Sequence, residues 1–475
     1  MDRPPPIAPP NESTSAARRA RLAAGAVASL TLLAIGWTGL LIPSLIRSVK
    51  ETFDQTDAGI GIIYLVYALA YVAGSFGGGS LTERLGRRLV LGGAVLVHGL
   101  GVAGLGLAPE WAAFVGAAVA AGAGAGCLDG GANGLVLDVY REGRGRAMNL
   151  LHLSFSIGAL CAPVIVGVLV EGGVRWQAVV IASGALVALL AVAYALVPMP
   201  SGRRAAQGMG ATDHGYSIEG PDATPAVAPG GRDDHRLLAG PLLLLGIAIA
   251  TYVASEVGVS SWLVRFLEPA PLTTATLALS LYWAGIAVGR AVSSAIADRF
   301  AHLRFTIACT LAMGILVAAA VLVPSLPLSI AAFAVAGIAS GPVFPMIVAI
   351  GGERYPERSA AVGGSLTGMA VIGSVVYPPT MGFMSVTVGL TVAMLGNAVL
   401  AMVSVGALVA FGQVTRPHRR GGPADHDGQG GGGRFMPVSG GYGTEIVVPG
   451  PLAAGPQPTD EHGSPGAGSQ SGPAA

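Results

Sequence analysis

Gly122 to His152 reads GAGAGCLDGGANGLVLDVYREGRGRAMNLLH. It opens as a glycine-loosened apolar helix holding a carboxylate, Asp129, and an amide one turn later, Asn133. A basic turn with Arg141, Arg144 and Arg146 follows, then a second apolar run carrying Asn149 and His152. In a water-soluble protein such polar groups carry little information. At bilayer depth they are costly, since a charged side chain at the centre of a membrane helix costs at least about 2.5–3.5 kcal/mol. The rest of the chain decides which case applies.

Outward from this stretch, apolar blocks recur from residue 22 to residue 413. The 475-residue chain is 52% hydrophobic and only 11% charged, against roughly 25% charged in a soluble domain. Its mean hydropathy is +0.65. A spanning helix needs about 20 mostly apolar residues. Twelve blocks qualify, at about 22–46, 58–80, 89–107, 112–138, 148–170, 177–198, 238–262, 274–296, 305–323, 328–350, 361–383 and 389–413. The expected fold class is therefore all-α, a polytopic membrane protein with twelve transmembrane helices in two six-helix halves. The first block exceeds the apolar region of about 7–15 residues in a cleaved signal peptide, so it is expected to remain as a span.

The expected organisation is a disordered tail (1–21), a first six-helix half (22–198), a connector (199–237), a second half (238–413) and a second disordered tail (414–475). The connector and both tails are rich in Gly, Pro, Ala or Ser and have no hydrophobic pattern to bury. Basic residues set the orientation. The tails and even-numbered turns hold 23 of the 27 Lys and Arg, leaving Arg47, Lys50, Arg175 and Arg265 for the odd-numbered turns. Both termini are thus expected in the cytoplasm, in the cell membrane, which requires an even number of crossings.

A net charge of +1 gives no basis for nucleic-acid binding. Cys127, Cys161 and Cys309 each fall inside an apolar block and read as small packing residues. No nucleophile–base pair, metal-ligand cluster or nucleotide-binding G-x4-G-K-[ST] loop is present. Enzyme chemistry, ATP-driven pumping, a metal and an organic cofactor are not expected. The expected partners are a small-molecule solute, protons and the lipid bilayer, with the protein a monomer.

An internal repeat supports the two halves. At an offset of 215 residues, Tyr67 aligns with Tyr282, Gly74 with Gly289 and Glu83–Arg84 with Asp298–Arg299. The same offset pairs Gly126 with Gly341, Gly158 with Gly373, Pro163 with Pro378 and Gly167 with Gly382. Parallel repeats of this kind underlie transporters whose halves rock about a central site.

The turn after the second block, Gly79-Ser80-Leu81-Thr82-Glu83-Arg84-Leu85-Gly86-Arg87-Arg88, resembles the signature loop of the major facilitator superfamily, with Glu83 where that family usually has Asp. A decayed copy runs from Gly289-Arg290 to Asp298-Arg299. A carboxylate, arginines and helix ends at one rim can form charge-assisted contacts in one state of a rocking protein and break them in the other. Gly79, Glu83, Arg84, Gly86, Arg87, Arg88, Arg290, Asp298 and Arg299 are accordingly read as a cytoplasmic gate. Four segments look like the fucose permease-like branch: Gly126 to Asn133, Asn149 to His152 with Gly158 and Pro163, Tyr252 to Glu256 with Ser261-Trp262, and Tyr282 to Gly285 with Gly289-Arg290. The resemblance covers roughly residues 25–410. It implies the major facilitator fold and sugar:proton symport. The chain departs from the branch in its first helix, which lacks the carboxylate of those symporters; coupling would then rest on Asp129, alone or with Glu256.

Asp129, Asn133, Asn149, His152, Tyr252, Glu256, Tyr282 and Tyr67 are the candidate solute- and proton-binding residues. Asp129 and Asn133 share a face at i, i+4, as do Tyr252 and Glu256. Tyr64, Tyr67 and Tyr71 form one face of the second helix, suited to a sugar ring or an apolar drug. Asp138 is expected to pair locally with Arg141, Arg144 or Arg146, and Trp111, Trp176 and Trp262 to anchor at the membrane interface. The expected function is secondary transport of a small polar, sugar-like solute by alternating access with proton coupling. A proton-driven drug or metabolite exporter on the same scaffold is the nearer rival, and a non-transporting receptor the more distant one.

Overall fold

The computed structural model describes residues 12–140, 144–197, 232–296 and 299–415. Most of the expected tails and connector lie outside this set. Among the described residues there is no strand. The helices of the first half are α1 (Glu12–Gly39), α2 (Leu41–Phe53), α3 (Asp57–Leu85), α4 (Arg87–Leu107), α5 (Trp111–Val139), α6 (Arg144–Glu171) and α7 (Trp176–Leu196). Those of the second are α8 (Arg232–Phe266), α9 (Leu272–Ile296), α10 (His302–Leu322), α11 (Leu326–Ser340), α12 (Val343–Arg354), α13 (Ser359–Thr387) and α14 (Leu390–Val414). They supply twelve helices long and apolar enough to cross a membrane, because α1 with α2 and α11 with α12 each make one span interrupted midway. The second interruption falls at Gly341-Pro342, where proline has no N–H to continue the helix.

The short turns 54–56, 108–110, 172–175, 267–271, 323–325 and 388–389 lie at one end of the bundle, the turn face. The described ends at Leu196, Arg232 and Val414 lie at the other, the tail face. Within the first half α3 packs on α5, α5 on α4, α4 on α7 and α1 on α6; within the second, α9 packs on α11, α11 on α10, and α8 on both α13 and α14. Large apolar side chains point away from the bundle, with Leu100 at 65% and Leu186 at 69% exposure. In a lipid-facing surface that is the expected place for them, since acyl chains are as apolar as leucine.

Small residues let the helices approach. A Cβ on Gly74 would stand 2.0 Å from the Ala123 carbonyl oxygen, and one on Gly289 2.1 Å from that of Ile338. A Cβ on Gly126 would meet the Tyr71 oxygen at 1.9 Å, and one on Gly341 the Ile286 oxygen at 2.4 Å. In both comparisons the glycine and its neighbour shift by the same 215 residues. The repeat in the sequence is thus a repeat of helix contacts: α3–α5 in one half is α9–α11 in the other.

The halves meet through α2–α8, α3–α13 and α6–α9. At the turn face the bonds between them are dense. The Arg47 guanidinium donates to the carbonyls of Val264, Leu267 and Ala270 at 2.6–3.1 Å. Asp57 accepts from Arg265 at 3.0 Å and from Ser385 at 2.5 Å. The Tyr64 hydroxyl donates to the Ser261 carbonyl at 2.9 Å, and the Thr273 amide donates to Glu171 at 2.7 Å. At the tail face the ion pairs among the described residues stay within one half: Arg87–Asp138 and His302–Glu353. Among the described residues, the polar bonds that latch the halves together lie at the turn face.

Two expectations about tryptophan are corrected here. Trp262 is fully buried, donating to the Pro378 carbonyl at 2.9 Å and standing edge-on to Tyr64. Trp176 is also buried and donates to Thr52 Oγ1 at 3.0 Å. Both lie at the depth of an interfacial anchor, yet their indole N–H groups are spent inside the protein. Position along a helix shows how deep a tryptophan sits; only its neighbours show which way it faces.

Candidate functional site

Two acid–tyrosine pairs occupy the middle of the bundle, one in each half. In the first, Tyr71 of α3 donates to Asp129 Oδ2 of α5 at 2.6 Å. Asn133, one turn on, donates to the Asp129 carbonyl at 2.9 Å and to its Oδ1 at 3.2 Å. Gly126 permits the pair, because it lets α5 lie against the Tyr71 backbone. Tyr67 stands within electrostatic reach of Asp129, and so does His152 of α6.

The second pair is Tyr252 and Glu256 on successive turns of α8, with the tyrosine hydroxyl donating to Glu256 Oε2. Ser340 of α11 completes it, its hydroxyl 3.0 Å from Tyr252 Oη and 3.2 Å from Glu256 Oε2. Tyr252 is fully buried and Glu256 only 8% exposed. Tyr282 of α9 lies within electrostatic reach of Glu256, though its hydroxyl makes no hydrogen bond of standard geometry. Arg290 of α9 reaches both sides electrostatically, acting on Tyr252 in its own half and on His152 in the other.

The structure thus puts Asn133, Tyr67 and His152 in hydrogen-bond or electrostatic reach of Asp129, Tyr252 and Tyr282 in reach of Glu256, and Arg290 in electrostatic reach of both Tyr252 and His152. The Asn149 side chain lies outside the described residues. Sequence reasoning placed Tyr71 on the aromatic face of the second helix without pairing it to Asp129, read Arg290 as a gate residue, and left out Ser340. Tyr71 was legible as the i+4 neighbour of Tyr67. Ser340 sits in a small-residue helix beside Gly341 and carries no pattern of its own.

Each carboxylate retains unfilled acceptor positions, and a carboxyl group at this depth requires either a partner or a proton. Unfilled capacity extends to neighbours: Asn133 Oδ1, Ser255 Oγ and Trp283 Nε1 are buried without a hydrogen-bond partner.

The signature-loop residues gather at the tail face. Gly86 joins α3 to α4 with φ +85°, a backbone conformation that favours glycine. Arg87 donates to Asp138 at 2.6 Å, and Arg88 to the Val197 carbonyl at 2.8 Å. Antiparallel α4 and α5 bring the start of one beside the end of the other, which gives Asp138 a partner in Arg87; the side chains of Arg141, Arg144 and Arg146, expected beside it, lie outside the described residues. Gly79 and Arg84 are exposed, as is Arg299; Asp298 lies outside the described residues, as does the Glu83 side chain. A cleft of about 440 Å³ opens beside them, lined by Gly74, Gly77, Gly78, Leu81, Arg84 and Cys127.

Comparison with known proteins places this arrangement. The Rattus norvegicus protein named Sodium-dependent glucose transporter 1 is 35% identical over 130 residues, 27% of this chain and 25% of that protein. The chain thus covers about a quarter of the length of the glucose-transporter relatives it matches. The Gentisate transporter of Corynebacterium glutamicum is 26% identical over 381 residues, 77% of this chain and 81% of the relative. Among solved structures, the E. coli fucose:proton symporter FucP superposes with a TM-score of 0.54 at 19% identity, covering 81% of this chain and 97% of that one. Family and fold are those of transporters rather than enzymes. The Major Facilitator Superfamily pattern matches residues 26–266 and 239–453, so the twelve-span chain belongs to that family.

Proposed function

We propose that this protein is a secondary transporter that moves a small polar, sugar-like solute across the cytoplasmic membrane by alternating access, coupled to protons. The observation that carries the reading is the placing of one hydrogen-bonded carboxylate in each half, Asp129 with Tyr71 and Glu256 with Tyr252, with His152 and Arg290 between them. Asp129 is the proton-linked group. Asn133, Asn149, His152 and Tyr67 meet the solute from the first half, and Tyr252, Glu256 and Tyr282 from the second. The glucose-transporter relatives and the FucP fold support a sugar-like solute.

Basic residues crowd the tail face, which is accordingly cytoplasmic. The latch at the turn face then closes the outer side, and the protein is in an inward-open state. The signature-loop arginines, bonded here within their own half, form the inner gate when that latch opens. One copy of the chain holds both clusters, which suits a monomer.

A second reading, a hydroxylated aromatic acid as solute, is favoured by the long match to the Gentisate transporter and by the tyrosine-lined space. Flux into proteoliposomes under an imposed pH gradient tests the proposal. Wild-type protein is expected to accumulate solute with the proton gradient, and Asp129→Asn to bind solute while losing that dependence. An unchanged pH profile in the variant would remove Asp129 from the coupling role. Outward movement of lipophilic drugs, with no sugar flux, would favour the exporter.

A further inference from the structure

Arg290 lies in the body of α9, inside the eighth span (Leu272–Ile296), and is half-buried. Its carbonyl accepts from Ser293 at 3.0 Å. Its guanidinium makes no hydrogen bond and no ion pair among the described residues. An arginine at this depth faces protein interior or water rather than lipid, and it normally has a counter-charge.

The register of α6 against α9 shows what it faces. The Val164 amide donates to Ser280 Oγ at 3.1 Å, Gly167 abuts Thr276, and the rings of Phe155 and Trp283 meet edge-on at 6.0 Å. The two helices run antiparallel. Two turns from Trp283 towards the tail face lies Arg290, on the same side of α9. About one turn from Phe155 in that direction lies His152. Arg290 therefore projects into the space between the halves, opposite His152.

One buried group without a partner lies on the same side of α9, two turns away. Trp283 is 8% exposed, and its Nε1–H, a group that can only donate, is buried without a partner. Arg290 adds five N–H donors in a planar fork. The two carboxylates of the site are each already held by a tyrosine hydroxyl in their own half. The ligand group that matches a guanidinium fork and an indole N–H on one helix face is a carboxylate.

We propose that the transported solute is a small hydroxylated carboxylic acid, whose carboxylate is received by Arg290 with the Trp283 indole N–H beside it, while its hydroxyl groups are read by the two acid–tyrosine pairs. This rests on the inter-half space being the solute path. It narrows the small polar solutes of that reading to those that carry a carboxylate, on either an aliphatic or an aromatic skeleton.

Thermal-shift and proteoliposome flux measurements on the full chain test it with matched probes. These are gluconate against glucose, and 3-hydroxybenzoate against 3-hydroxybenzyl alcohol. In at least one pair the acid is expected to bind and move while its neutral partner does not, and the pair that responds identifies the skeleton. Arg290→Gln is expected to weaken binding of the acid by tenfold or more, and Arg290→Lys by less, since the charge remains but the fork is lost. Trp283→Phe is expected to weaken it several-fold and to leave the melting temperature of the free protein little changed. Should a neutral probe bind as tightly as its acid, with Arg290→Gln leaving its flux unaltered, Arg290 is a structural charge and only the narrower claim falls. If no probe of either pair binds or moves in wild-type protein, the solute-path reading falls with it.

Discussion

Asp57, the first residue of α3, accepts a hydrogen bond from Arg265 of α8 at 3.0 Å, and this ion pair joins the two halves at the turn face. The same carboxylate receives Ser385 of α13 at 2.5 Å and Lys50 of α2. It is 4% exposed and surrounded by two cations and a hydroxyl. Asp57→Asn would leave Lys50 and Arg265 facing one another across a neutral amide. Removing one partner of a buried pair costs about 3–5 kcal/mol, and the partial exposure of both cations brings this nearer 1–3 kcal/mol. That is enough to change the ratio of closed to open states at this face about tenfold or more. The measurement is the labelling rate of Tyr64→Cys by a membrane-impermeant maleimide, in a background lacking Cys127, Cys161 and Cys309. A rate unaltered by Asp57→Asn would mean that the pair is not a latch.

Arg47 gives a second handle on the same face. Its guanidinium holds three carbonyls at and just beyond the end of α8, of which that of Leu267 also accepts from the Ala270 amide. Arg47→Ala is expected to lower stability by about 2–4 kcal/mol, from several charge-assisted bonds and the carbonyls left behind. Arg47→Lys should recover less than half of this, because an ammonium cannot match the planar fork. Thermal unfolding in detergent, read by intrinsic fluorescence, would give both values; equal stability of the lysine variant and wild type would contradict the geometry.

Gly126 and Gly341 test the repeat as a packing device. Valine at either position drives a Cβ to 1.9 Å or 2.4 Å from a backbone oxygen of the facing helix. Neither a main-chain carbonyl nor a neighbouring helix moves cheaply, so both variants are expected to be lost from the monodisperse peak in size-exclusion chromatography. Gly116→Ala is the control, having nothing within 4 Å of the added methyl. It should behave as wild type, within about 0.5 kcal/mol.

Tyr252 and Glu256 are predicted to act as a unit. A double-mutant cycle on Tyr252→Phe and Glu256→Gln, read as solute affinity, should give a coupling energy of about 1–3 kcal/mol. Ser340 touches both groups, so Ser340→Ala should couple to each by a smaller amount. Strict additivity of Tyr252→Phe and Glu256→Gln would show that their contact has no part in binding.

Much of this molecule is legible from the chain. Twelve apolar blocks, an even number of crossings and a 215-residue repeat follow from composition and periodicity, because a span must be long, apolar and satisfied in its own backbone hydrogen bonds. The i, i+4 spacings of Asp129–Asn133 and Tyr252–Glu256 likewise place each pair on one face before any coordinates are known. Local geometry of this sort needs only the helix.

What lay beyond the sequence were contacts between helices. Asp138 pairs with Arg87, some fifty residues away, because α4 and α5 run antiparallel. Trp262 has the depth of an interfacial anchor but points inwards at Pro378. Ser340 is one small residue among many until α11 carries it to Glu256. The sequence by itself determined which segments are helices, how many cross the membrane and which polar groups they hold at depth, since each of these is fixed by the hydrophobicity and spacing of neighbouring residues. Only the tertiary structure decided the azimuth of each helix about its axis, and therefore which of those polar groups meet across the two halves. That rotation is set by close packing against helices distant in the chain, which no local pattern encodes.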